Sequence, residues 1–124
     1  MTDVLNHRHL AGAAAAVAAL AAAVLNPPAA QADTAGYLIN ITVRPGYQFA
    51  GPDDALRYGR GLCDDVGAGH PYSVVIGQVK ADQQTADEYQ AGYLINQAID
   101  ELCPEQIWQL RQSAAGYKPT SEPG

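Results

Sequence analysis

Cysteine, histidine and basic residues are all scarce in this 124-residue chain, and each scarcity narrows its chemistry. The two cysteines, Cys63 and Cys103, permit one intramolecular pairing and contain no Cys-x-x-Cys arrangement that would lower a thiol pKa. Lysine and arginine together number seven against thirteen acidic residues, giving a net charge of −6. Such a surface repels phosphate backbones and anionic headgroups, which argues against nucleic acid and against a membrane surface as partners. Two of the three histidines fall within the first nine residues, leaving His70 alone in the body of the chain. A catalytic triad needs a base between a nucleophile and an orienting carboxylate, and no serine near His70 sits in a nucleophile-elbow pattern. The longest uncharged apolar run, Leu10 to Leu25, has 16 residues, below the roughly 18 to 20 of a membrane span.

That short run belongs to a different pattern. Arg8 lies in a polar start, the Ala-, Val- and Leu-rich run follows, then Pro27-Pro28 and the small-x-small triplet Ala30-Gln31-Ala32. The order is that of a removable signal peptide over residues 1–32, cut between Ala32 and Asp33. The expected destination is the extracellular space or cell envelope, with membrane attachment only through an uncleaved signal. Removal takes Arg8 and Asp3 away and leaves 92 residues with six basic and twelve acidic side chains. A chain this short makes one domain with a modest core, and small exported domains commonly compensate with disulfides. A Cys63–Cys103 bond is therefore expected. Closing a loop of about 40 residues stabilises by roughly 3 to 4 kcal/mol in the chain-entropy model.

The remaining residues read as an all-α domain over 33–115, a small bundle of four to five short helices, with a disordered tail at 116–124. The first helix spans Thr34 to Val43, capped by Asp33 or Thr34 and ended by Pro45-Gly46. Pro52 with Asp53-Asp54 opens the second, and Ala55, Gly59, Leu62 and Val66 mark its buried face up to Gly67 and Gly69. Gly59 and Gly61 predict a close approach by another backbone. The third covers Pro71 to Lys80 on the face Tyr72, Val75, Ile76 and Val79; a strand over Val74–Val79 is the competing reading, because of the β-branched run. Thr85-Ala86-Asp87-Glu88 has the form of a capping box at the head of the fourth helix. Its stripe Ala91, Ile95, Ala98 and Leu102 ends at Cys103, because the residue before Pro104 avoids the α conformation. Pro104-Glu105 starts a short fifth helix with Ile107, Trp108 and Leu110 apolar. Ala-Gly-Tyr-Leu-Ile-Asn occurs twice, at Ala35–Asn40 and Ala91–Asn96, through either helix duplication or two similar core faces.

The exported start, Tyr37-Leu38, Asp54-Ala55-Leu56 to Gly59, Cys63, a glycine-containing break, and Ala98-Ile99 to Cys103-Pro104 together resemble the mycobacterial family called domain of unknown function 732. The resemblance covers about Tyr37 to Pro104. It implies a small, secreted or envelope-associated helical domain, and it carries over no catalytic or binding residues. The loop Arg44–Phe49 holds more aromatic residues than the resemblance leads one to expect.

Acidic pairs at Asp53-Asp54, Asp64-Asp65, Asp87-Glu88 and Asp100-Glu101 read as helix starts and solvated faces, since adjacent helical residues diverge by about 100° and cannot converge on a cation. No metal ligand, catalytic residue or cofactor is assigned. The aromatic residues are the remaining signal. Seven tyrosines, Phe49 and Trp108 all lie beyond the signal segment. Tyr47 and Phe49, in a loop, are the candidate binding surface, because tyrosine combines apolar area with a polar tip. The expected function is a non-enzymatic module that binds a protein, peptide or envelope component. A hydrolase-type enzyme with an unrecognised site, or a carrier of a small apolar ligand, is the alternative.

Overall fold

The computed structural model describes residues 32–119. The expected signal segment lies outside these residues except for Ala32, and so does the end of the tail. Five α-helices follow one another: α1 (Thr34–Thr42), α2 (Pro52–Gly67), α3 (Tyr72–Asp82), α4 (Glu88–Leu102) and, after a 3-10 turn at Pro104–Gln106, α5 (Ile107–Ala114). Among the described residues there is no strand, so the β-branched run in α3 is helical. Its Val75, Ile76 and Val79 are buried together, as the 3.6-residue period requires. No helix among these residues is long and apolar enough to cross a membrane.

The central element is α4. It buries Ala91, Gly92, Leu94, Ile95, Ala98, Ile99 and Leu102, far more of its circumference than a surface helix hides. Helices α1, α2 and α3 pack around it, and α5 closes the open end against α3. Hydrogen bonds step from Asp33–Glu101 through Asn40–Gln97 to Arg44–Gln90, so α1 and α4 run antiparallel. Cys63 in α2 and Cys103 at the end of α4 are joined by a disulfide, with their Cα atoms 6.1 Å apart. Both cysteines are buried, so the bond ties two core helices from within.

The helix ends show which local signals prevailed. Gly69, at φ +92°, closes α2: its N–H donates to Val66 O and that of His70 to Asp65 O, a Schellman arrangement. At the end of α3 the same pattern forms on a non-glycine, Gln84, at φ 53°, with Gln84 N–H donating to Ala81 O and Thr85 N–H to Lys80 O. That spends the Thr85 N–H that the Glu88 carboxylate would have accepted, and the Thr85 hydroxyl accepts from Asp87 N–H rather than from Glu88 N–H, so the expected capping box does not form. Asp87 caps instead, its carboxylate accepting from Tyr89 and Gln90 N–H, so α4 begins at Glu88. Glu88 is left free to pair with Lys80 and to accept from the Tyr117 hydroxyl.

Three further expectations change. Gly59 does face a close approach, but by side chains: a Cβ there would lie 2.7 Å from Leu102 Cδ1 and from Tyr37 Cζ. Gly61 meets nothing within 4 Å. Of the apolar residues of α5 Leu110 alone is fully buried; Trp108 is 71 % exposed, and its indole stacks under Arg111. The stretch expected to be disordered from Gly116 contains a packed residue, since the Tyr117 ring meets Tyr72 edge-on at 5.1 Å.

The repeated hexapeptide buries different members in its two copies. Tyr37 is buried and Ile39 is 62 % exposed, whereas Tyr93 is half-buried and Ile95 fully buried. One copy lies on a packing helix and the other on the central helix, and they bury different positions, so they are not equivalent structural units.

Candidate binding cleft

The loop between α1 and α2 turns at Gly46, whose φ of +106° lies in the region that favours glycine. The loop is tied to the rest of the fold at four points. Arg44 Nε donates to Gln90 Oε1 at 2.7 Å, and Gln90 Nε2 donates back to Pro45 O at 3.1 Å. The Tyr47 hydroxyl donates to Gln90 O at 2.7 Å. Gln48 N–H donates to Oε1 of Gln83, a buried polar side chain thereby satisfied. Arg44 also lies between two rings of α4, 4.8 Å from the Tyr89 centroid and 4.7 Å from that of Tyr93. Cation–π attraction is about 0.5–1 kcal/mol per ring at exposed sites and grows as water is excluded.

This anchoring places Tyr47 and Phe49 in contact, ring centroids 6.3 Å apart, and Phe49 5.4 Å from Tyr58. Tyr58 in turn donates to Asp82 Oδ2 at 2.9 Å, joining α2 to α3. Between the loop, α1 and the start of α2 lies a cleft of about 420 Å³, lined by Leu38, Ile41, Thr42, Tyr47, Phe49, Pro52 and Ala55. Beneath it the buried Tyr37 hydroxyl donates to Ala55 O at 2.9 Å. The two residues singled out by sequence therefore share one wall. Tyr47 contributes its ring face only, because its hydroxyl is committed to Gln90; burial pushes its pKa up to about 12.

The ionisable groups lining this cleft are Arg44 and Tyr47. Both are engaged with Gln90, so neither is poised for proton transfer. His70 lies elsewhere, half-exposed on the turn after α2, with Nδ1 3.7 Å from Asp65 Oδ1. No group of three or more His, Cys, Asp or Glu side chains converges among the described residues.

A second concavity of about 450 Å³, lined by Tyr72, Glu88, Tyr89, Gly92, Tyr93 and Tyr117, lies on α4. Its floor requires Gly92, where a Cβ would sit 3.1 Å from the Tyr72 hydroxyl. Sequence reasoning did not find this tyrosine cluster, nor Gln90 as the point that holds the loop. The Tyr89–Tyr93 spacing of four residues was a readable signal, placing two rings on one helical face. Gln90 offered none, since its role depends on contacts 43 to 46 positions away in the chain.

No curated protein and no solved structure matches the chain. A family described as "Protein of unknown function (DUF732)" matches residues 29–105, more than half of the chain and everything from the start of α1 through the disulfide. The chain therefore belongs to this family, whose description assigns no function, and the matched residues include both cysteines of the disulfide.

Proposed function

We propose that the chain is an exported binding module, not an enzyme, and that it takes an apolar segment of a protein or peptide partner into the cleft beside Tyr47 and Phe49. The observation that carries this reading is the anchoring of the loop. Four hydrogen bonds and the Arg44 stack hold the aromatic wall in place before any partner arrives. Pre-ordering reduces the side-chain and loop entropy lost on association, about 0.5–1.5 kcal/mol for each immobilised flexible side chain. The lining is aliphatic and aromatic with few polar groups, and the volume suits a few side chains. Export is supported by the order of the N-terminal sequence and by the buried disulfide, which oxidising compartments favour.

The test is site-specific photo-crosslinking of the secreted chain. A photoreactive residue at Thr42, exposed on the cleft wall, should yield a discrete adduct that the same residue at Gln112 on α5 does not. Equal adducts from both positions, or none at Thr42, refute the assignment. A non-covalent small apolar molecule found by native mass spectrometry, in place of a polypeptide adduct, would replace it with the carrier reading.

A further inference from the structure

Cleavage between Ala32 and Asp33, on which this inference rests, converts the Asp33 backbone nitrogen from an amide into an α-ammonium. We propose that this new terminus docks as a cation on the C-terminal end of α4, so that processing itself completes the fold. Asp33 N already lies 2.6 Å from Glu101 O. That carbonyl is one of the last four of α4, which have no partner within the helix and carry its negative dipole end. Cations stabilise such an end, yet the last turn of α4 holds no basic residue and instead carries Asp100 and Glu101.

The side chains add to the imbalance. Glu101 Oε2 and Asp33 Oδ2 crowd the same point over Gly36, lying 2.8 and 2.7 Å from where a Cβ would sit. Only the missing side chain of Gly36 gives them room. Among the described residues the ion pairs are Arg57–Asp54, His70–Asp65 and Lys80–Glu88, so neither crowded carboxylate has a cationic partner. Two like charges at short range beside a negative dipole end form a site for one positive charge. In the unprocessed chain Asp33 N offers one neutral donor. After cleavage it offers three donors and a full charge at the same place. The positive N-terminal end of α1 opposes this charge, but the Asp33 carboxylate, held there by Gly36 N–H at 2.7 Å, lies between them.

The experiment compares the chain 33–124 with the same chain retaining Gln31-Ala32, each with Glu101 and with Glu101→Gln. Every residue of the core, Tyr37 to Leu110, is present in both forms. The Asp33-start form should melt several degrees higher than the extended form, and Glu101→Gln should remove most of that difference. The Asp33 α-amine should also react more slowly with an acylating reagent in the native protein than after denaturation, a readout that survives if Glu101→Gln fails to fold. Equal melting temperatures together with an unprotected amine overturn the docking. N-terminal sequencing of the exported chain separates the two claims: a start elsewhere than Asp33 overturns the cleavage site and, with it, the physiological role of the docked terminus.

Discussion

Gly59 leaves no room for a side chain. It sits in α2 where the buried Tyr37 ring and Leu102 meet it, and a methyl group there would overlap both at 2.7 Å. Gly61, two residues on, meets nothing. The pair makes an internal control. Gly59→Ala should destabilise the domain by about 1–3 kcal/mol through overpacking. Gly61→Ala should be neutral or stabilise by up to about 1 kcal/mol through helix propensity. Chemical denaturation of both variants checks this, and equal effects would show that α2 does not approach Tyr37 and Leu102 as described. From sequence the two glycines looked alike, because the difference resides in partners 22 and 43 positions away along the chain.

Between elements, tyrosine hydroxyls form the ties: Tyr37 joins α1 to α2, Tyr47 joins the loop to α4, and Tyr58 joins α2 to α3. Burial raises the pKa of all three above the ordinary tyrosine value of 10.0, and for Tyr58 the hydrogen bond to Asp82 and that carboxylate's charge raise it further. A phenol whose folded pKa is raised contributes stability that is present in full below its unfolded pKa. That contribution fades as pH climbs through the folded value. Melting temperature should therefore change little on account of these groups up to pH 9, then fall steeply from about pH 10 to 12. Tyr58→Phe should make the fall shallower, as circular dichroism melts across that range will show; an unchanged slope would remove Tyr58 from the account. The helices themselves were legible from periodicity and breakers, since Pro52, Pro104 and Gly69 act locally. The head of α4 was misread because the Thr85 N–H is taken by the end of α3 while Asp87 caps, a competition between two neighbouring elements that motif matching within one of them does not register. Of the apolar residues expected in the fifth helix, Leu110 is buried and Trp108 exposed, a division that their apolar character alone did not carry.

At the scale of the whole molecule, one covalent bond joins α2 to the helix around which the others pack. Removing it should cost roughly 3 to 4 kcal/mol for a loop of about 40 residues, a large share of the total stability of a small domain. Cys63→Ser should lower the melting temperature by about 12–32 °C, given about 4–8 °C per kcal/mol in domains of this size. An unchanged melting temperature would contradict the central place given to the bond. The disulfide was legible from the cysteine count together with the expected export. The cleft was legible only in part: Tyr47 and Phe49 stood out as loop aromatics, but the clamp that makes a wall of them depends on Arg44, Gln83 and Gln90, residue types too common to be noticed singly.

The central claim is that this clamped wall is a docking surface. The most direct measurement is capture of a polypeptide partner by chain 33–124 carrying Thr42→Arg, which puts a charge on the cleft wall at an exposed position where the core is not disturbed. The account predicts loss of the partner with the melting temperature unchanged. Undiminished capture by the variant would place the working surface elsewhere on the molecule.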